Sequence, residues 1–428
     1  MRKITDLFKR CFYGAEPFPM FNFYLFYFGK DKDKRFHKKI ILSKIRKLRN
    51  PLFFILSTLK ALNWYFYRLY KILFVLIGKR GKAILKEYGI SSFIQFRDML
   101  FLNFLYQIPP ENYYKYKLYK KVCRENIHNF FFSSELPFFH DLTNNGNNSL
   151  KKTKQFIGNK QIFSNALKKI SIPSIKTYCT SNIESDVNIF FTKQDVFCKP
   201  VYGSQSRNAF KIKYIIDENR YEVHPIIGKK IIKPAKVVYY LNDILKYEKI
   251  LAQKCIKDHE CLSEINDSEE ITTVRIITAE FQDKQITPIY IQLEVPLESK
   301  HEKSFRQFYK IYPLDLETFD VDKNWKKNSE VKYSKNIAVP DKLKEMLSDS
   351  ILYCLKAHKE LINLKSVAFD LAFTSEGPVI IEANYNWNIE MLYNVIDTEP
   401  LTLSNEIAAS KWLKDIIDAG SKIYISTD

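Results

Sequence analysis

Residues 366–385 read SVAFDLAFT, SEG, PVIIEANY: two runs of strand-forming residues with only Ser375, Glu376 and Gly377 between them. So short a connection joins antiparallel strands, which commits this part of the chain to a hairpin. With a three-residue loop ending on a left-handed Gly377, Thr374 pairs with Pro378 and Asp370 falls directly opposite Glu382. The two-residue period puts Asn384 on the face of Glu382, while Ala368 and Ala372 beside Asp370 leave that face open. Opposed carboxylates repel each other unless a cation lies between them, and Asp, Glu and Asn oxygens suit Mg²⁺. The alternative is a pair of solvated carboxylates on an exposed face, or a register one residue away.

The segments upstream mix helices with short strands. Leu343, Met346, Leu347, Ile351, Leu355 and Leu361 recur at helical spacing and predict an amphipathic helix over 341–362. A helix is expected over 161–170, joined through Pro173 to a strand at 175–178. Further strands are expected at 195–201 and 250–256. The runs 271–281 and 286–294 flank Gln282-Asp283-Lys284 and suggest a second hairpin. Residues 143–149 (TNNGNNS) form a turn-rich polar stretch suited to a domain boundary. The pattern is that of an α+β protein.

Charge divides the chain differently. Residues 1–128 carry 27 Lys and Arg against 8 Asp and Glu, so they hold the whole net charge of +19, and the other 300 residues are balanced. Aromatics lean the same way, with 34 of 64 before residue 141. This describes a basic, aromatic, mostly helical N-terminal region ahead of an electroneutral remainder. It is either a solvated basic surface over an aromatic core or a surface attracted to anionic lipid or polymer. Residues 17–29 are uncharged but too short to span a bilayer, and they lack a cleavage site for a signal peptide. Residues 51–77 are long enough, yet Lys60, Arg68 and Lys71 form a cationic stripe along them. That fits a buried helix with one wet edge first, a helix lying in a membrane surface second, and a transmembrane helix least. The seven cysteines are scattered, odd in number and without a CxxC pair, which argues against a zinc ribbon and a secreted disulfide scaffold and fits a reducing cytoplasm best.

Several basic side chains occupy positions that demand a partner. Lys199 in FCKPVYGSQS sits among apolar neighbours, and a buried ammonium needs an anion, for which a phosphate would serve. Arg275 alternates with Val274 and Ile276, so a cross-strand ion pair or a phosphate contact would satisfy it. Lys160 in NKQIFSNALKK reads by itself as a surface lysine, and His259 as a helix-end or surface histidine.

Taken in chain order, these pieces resemble the ATP-grasp superfamily. Asp370, Glu382 and Asn384 look like its terminal metal motif. Lys160 and Lys199 resemble its two nucleotide-binding lysines, and Ser204 lies in the phosphate loop that follows. Gln253, Lys254, Cys255 and Ile256 resemble the hinge strand against which adenine lies. The segment KDHECLSEINDSEEITTVRIIT, with His259 and Arg275, resembles the sugar-transfer-associated ATP-grasp family. The resemblance covers about residues 130–400. It departs from the pattern in having one glycine, Gly203, in the phosphate loop, Thr272 where Asn is usual, and LESKHEKSFRQF in place of a glycine-rich stretch.

The resemblance implies two α+β subdomains clamping a nucleotide, with boundaries at 1–128, 129–249 and 250–428. It also implies ATP and two Mg²⁺ ions as cofactors, with Arg275 and Lys199 acting in catalysis. The expected activity is that of an ATP-dependent carboxylate–amine ligase working through an acyl phosphate in surface-polysaccharide biosynthesis. The expected substrates are a small or lipid-linked sugar acid and an amine or amino acid. The alternative is a non-catalytic peripheral membrane or polyanion-binding protein with a degenerate domain. No nucleic-acid motif accompanies the charge, so nucleic acid is not an expected partner. The expected location is the cytoplasm, at the inner face of the membrane if the basic region anchors there.

Overall fold

The computed structural model describes residues 77–125 apart from 79, 107, 109 and 116; residues 140 and 144; and residues 150–387 apart from 182–186, 203–207, 227–230, 269, 297–308 and 322–336. The readings made above at 17–29, at 51–76 and at the loop carrying Ser204 lie outside the described residues. The described residues fall into two compact units, one before residue 146 and one from 146 to 387.

The first unit is helical, with α1 (Lys82–Tyr88), α2 (Ser92–Tyr106), α3 (Pro110–Lys115) and α4 (Lys121–Glu125). Gly89 ends α1 with φ 67°, returning its N–H to the Leu85 carbonyl. Met99, Leu102, Ile108, Tyr113 and Leu118 form its core. Asp98 is buried beside them, where Arg124 approaches to 2.9 Å and the Tyr113 hydroxyl donates to it. Among the described residues no helix is long and apolar enough to cross a membrane.

The second unit opens with α5 (Leu150–Gly158) and α6 (Lys160–Lys169). Asn159 caps α6 by accepting from the Ile162 N–H, so the helix begins at Lys160. Two antiparallel five-stranded sheets follow. The first has the order β1-β5-β2-β3-β4 and is built from β1 (Thr177–Ser181), β2 (Val196–Pro200), β3 (Phe210–Ile215), β4 (Arg220–Pro225) and β5 (Ile250–Lys254). Helix α7 (Pro234–Leu245), started by a proline at its first position, shares a core with it. Its Val237, Leu241 and Leu245 recur every four residues and join Val196, Cys198, Phe210, Ile212 and Ala252. The opposite parity of β2 and β5 gives the sheet's other face, where Phe197 pairs with Gln253 and Lys199 with Leu251.

The second sheet has the order β10-β9-β6-β7-β8, from β6 (Thr273–Glu280), β7 (Ile286–Pro296), β8 (Tyr309–Pro313), β9 (Ser366–Thr374) and β10 (Gly377–Asn384). The helix expected over 341–362 is α8 (Asp341–Leu361). Its Leu343, Met346, Leu347, Cys354 and Ala357 share a core with Val274, Ile276, Ile291, Leu293, Val367, Phe369, Leu371 and Phe373. Truncating one such leucine to alanine costs about 2–5 kcal/mol. Every residue of the other parity on β6, β7 and β9 is thereby turned away from this core.

The β9–β10 hairpin differs in two places from its sequence reading. Gly377, with φ 103°, pairs with Thr374, so the loop has two residues and not three. A bulge between Ile380 and Glu382 then inserts one extra residue, which restores Glu382 opposite Asp370. The cause is burial. Pro378 and Ile380 sit with Phe373 and Leu371 on the core side, and a regular strand would carry Glu382 into the core after them. The bulge lets Ile380 point inward and Glu382 outward.

Candidate functional site

The polar residues of the second sheet line up across four strands. Glu382 of β10 stands opposite Asp370 of β9, Asp370 opposite Arg275 of β6, and Arg275 opposite Gln292 of β7. A second row places Ala372, Thr273 and Glu294 side by side. Asn384 lies opposite Ala368, whose small side chain leaves the amide room to turn toward the acids.

Arg275 holds Asp370 with both arms of its guanidinium, Nε to Oδ1 at 2.6 Å and Nη2 to Oδ2 at 2.9 Å. Asp370 is thus a cross-strand carboxylate partner of the kind Arg275 calls for in the sequence. Glu294 approaches the same guanidinium at 3.8 Å and accepts from Thr273 Oγ1 and Gln292 Nε2. The Asn384 amide donates to Asp370 Oδ2 at 3.1 Å and to Glu382 Oε1 at 3.2 Å, so it bridges the two opposed acids. Lys160 comes from α6, its Nζ 3.9 Å from Glu382 Oε2.

Lys199, only 8% exposed, completes the constellation from the first sheet. Burial pushes its ammonium down to about 8, Glu382 and Asp370 pull it up, and Lys160 pushes it further down. Burial likewise raises Asp370 to about 6, against the pull of Arg275. For Arg275, burial opposes the charge, but Asp370 and Glu294 outweigh it and the guanidinium is held protonated. Three cations and three carboxylates thus share a partly desolvated space, in which Lys199, Arg275 and Asp370 feel their neighbours' charges.

Asp370, Glu382 and the Asn384 amide form a hard-oxygen donor set of the kind Mg²⁺ takes, and they already lie within hydrogen-bond reach of one another. A half-turn of the amide exchanges its donor nitrogen for an acceptor oxygen. Among the described residues no group of three or more His, Cys, Asp and Glu is placed to hold an ion by itself. Any ion here would need the amide oxygen and oxygens of a ligand to complete its shell.

The remaining expected residues lie on β5 and in the segment that follows it. Gln253 is buried in β5, and its Oε1 has no hydrogen-bond partner among the described residues. Lys254, at the end of β5, pairs at 2.6 Å with Glu376 in the β9–β10 turn. Cys255 and Ile256 follow, half-buried, with the Cys255 thiol pushed up to about 11 by burial. His259 caps the short 3₁₀ turn Glu260–Leu262: its Nδ1 accepts from Cys261 N–H, and its own N–H donates to the Phe373 carbonyl. Thr272 is fully buried, with its N–H held by Asp258.

Two site residues were missed in the sequence. Gln292 and Glu294 alternate with Ile291, Leu293 and Val295, and polar groups at every second place in an apolar strand mark its second face.

No protein-family model matches the sequence, and no curated protein matches it. Among solved structures, the chain is similar to the ATP-grasp ligase PsnB complexed with minimal precursor, at 12% identity and a TM-score of 0.34 over 63% of this chain and 62% of that one. It is also similar to D-alanine-D-alanine ligase from Helicobacter pylori, at 13% identity and a TM-score of 0.36 over 61% of each chain. A third is N5-carboxyaminoimidazole synthetase from Staphylococcus aureus complexed with ADP, at 8% identity and a TM-score of 0.35 over 61% of this chain and 51% of that one. The chain thus matches less than two thirds of the length of each.

Proposed function

We propose that the chain is an ATP-dependent carboxylate–amine ligase of the ATP-grasp kind. In this reading it serves surface-polysaccharide biosynthesis, joining an amine or amino acid to a sugar carboxylate. The observation that carries the reading is a cluster of basic and acidic groups: the opposed acids Asp370 and Glu382, Lys160 at 3.9 Å from Glu382, and the buried Lys199, whose ammonium feels the charges of all three. Polyphosphate chemistry calls for such parts: cations for the phosphates, and carboxylates that tie the phosphates down through a divalent ion.

In the first step a carboxylate oxygen of the acid attacks the γ-phosphorus, the bond from that phosphorus to the bridging oxygen breaks, and ADP leaves. In the second the amine nitrogen attacks the acyl carbon, the carbon–oxygen bond to phosphate breaks, and phosphate leaves as nitrogen loses its proton. Lys160 and Lys199 hold phosphate oxygens, and polyphosphate raises the Lys199 pKa back toward its ordinary value. Arg275 fixes Asp370 and favours its ionised form, and Asn384 keeps Asp370 and Glu382 together. Bound Mg²⁺, held by Asp370, Glu382 and Asn384, supplies charge neutralisation at the phosphates.

Incubation of the full chain with Mg-ATP, hexuronates and hydroxylamine tests the reading, because hydroxylamine traps an acyl phosphate whatever the natural amine. ADP and hydroxamate should accumulate in equal amounts. A polyanion-binding protein without turnover would release neither.

A further inference from the structure

We propose that Glu294 and Gln292 form a second seat for the Arg275 guanidinium, taken up when a divalent cation engages Asp370. The proposal rests on the reading of Asp370 as a metal ligand, and it adds the positioning residues that free that carboxylate.

Both Asp370 oxygens are engaged in the structure. Oδ1 accepts from Arg275 Nε, and Oδ2 accepts from Arg275 Nη2 and from the Asn384 amide. A divalent cation drawn to Asp370 would stand beside the guanidinium, and in a partly desolvated space the two positive charges repel strongly. Either the cation is refused or the guanidinium yields. An exposed arginine could retreat into water, but the Arg275 side chain is only 24% exposed and needs another anion within reach.

Glu294 is that anion. It comes from β7, the neighbour of β6 on the side away from Asp370, and its Oε1 lies 3.8 Å from Arg275 Nη1. That distance is an ion-pair approach but too long for a hydrogen bond. Burial opposes the charge on Arg275, Asp370 is the strongest influence sustaining it, and Glu294 is the next. Glu294 is also held in place beforehand, its Oε2 accepting from Thr273 Oγ1 and its Oε1 from Gln292 Nε2. A small movement of the guanidinium therefore reaches a carboxylate that need not reorganise.

Gln292 supplies the independent sign. It is fully buried and stands directly opposite Arg275 across β6 and β7. A carboxylate only accepts, so Glu294 fixes the amide with its nitrogen toward the acid and its oxygen turned elsewhere. That oxygen is buried and has no hydrogen-bond partner among the described residues. A buried acceptor left empty is uncommon and costly. Pro313, its neighbour on β8, has no polar hydrogen to offer, whereas the guanidinium on the facing strand carries several. The empty acceptor and the long Glu294 contact are both completed when the guanidinium shifts from β9 toward β7.

Mn²⁺ binding to the full chain with ADP present, followed by the paramagnetic resonance of free Mn²⁺, tests the proposal. E294Q should weaken Mn²⁺ about tenfold or more, the effect usual for a residue that orients a metal ligand, and E294D should recover part of it. Q292M, which changes no charge, should weaken Mn²⁺ in the same direction. Because both residues act through Arg275, neither substitution should add to the effect of R275M. In the arginine Nε–H spectrum, the signal lost in R275M should shift when Mg²⁺ is added to the ADP-bound wild type and stay in place in E294Q. Mn²⁺ affinity unchanged in E294Q and Q292M overturns the proposal. So does an equal loss from E294Q with or without Arg275, which would mean that Glu294 attracts the metal directly. Mn²⁺ binding that leaves the Arg275 signal unmoved removes the second seat and leaves the ligase reading standing. A wild-type chain that takes up no Mn²⁺, with or without ADP, brings down both.

Discussion

Burial drives the Lys199 pKa down to about 8, and Glu382 and Asp370 hold it from going lower. Lys199 and Glu382 therefore cannot be changed independently. Lys199→Ala should weaken ATP binding by about 2–4 kcal/mol, the range for truncating one member of a desolvated charge pair. Lys199→Arg should recover only part of this, since a planar fork cannot replace a point charge. Titration calorimetry with ATP checks both, and an unchanged affinity in the alanine variant would remove Lys199 from the nucleotide site. Glu382→Gln keeps the side-chain volume but deletes half of the opposed carboxylate charge. ATP turnover should disappear while thermal unfolding remains cooperative, and the Lys199 pKa should fall below its wild-type value. ADP release within a factor of about two of wild type would exclude Glu382 from the chemistry.

Between the residues and the whole chain stands the anchoring of α8 to the second sheet, which a buried histidine makes sensitive to acid. His358 is 1% exposed, its Nε2 next to the Leu364 carbonyl at 2.8 Å and its Nδ1 next to Thr278 Oγ1 at 2.7 Å. A carbonyl only accepts, so Nε2 carries the proton and Nδ1 accepts from threonine. Burial lowers the His358 pKa below 6.5, against the pull of the Leu364 hydrogen bond and Glu280. The unfolded chain thus takes up a proton that the folded chain refuses. The associated stability is present above pH 6.5 and is lost as pH falls below it. Urea unfolding at pH 8, 6 and 5 should show this loss, and His358→Gln should flatten it; an unchanged slope in that variant would assign the acid sensitivity elsewhere. How much of such detail is legible in sequence depends on periodicity. The α8 stripe and the two hairpins are visible because apolar residues repeat along them. The turn at Gly377 and the bulge after Ile380 are not, because both depend on which residues the core accepts. Their errors cancel at Asp370 and Glu382, so the opposed pair is read correctly from an incorrect loop. Arg275 shows in sequence only that it needs an anion, and that Asp370 is its cross-strand neighbour follows from the β6–β9 pairing.

At the scale of the whole molecule the charge is divided. Residues 1–128 hold the entire excess of +19, and most of them lie outside the described residues. Basic clusters adjoin aromatic ones, with Lys38, Lys39, Arg46, Lys47 and Arg49 ahead of Phe53 and Phe54. Beside an anionic leaflet each well-placed Lys or Arg contributes about 1 kcal/mol, and aromatic rings settle at headgroup depth. A ligase acting on a lipid-linked sugar acid gains from being held at that surface, because the substrate is then confined to the same plane. The full chain should therefore sediment with phosphatidylserine-containing vesicles at low salt and be released as salt shortens the screening length. Replacing those five basic residues with glutamine should abolish sedimentation while hydroxamate formation from a soluble hexuronate continues, because the substitutions lie in the basic region and not in the charged constellation. Equal sedimentation with neutral and anionic vesicles, or binding that salt does not reverse, would show that charge is not what holds the protein there.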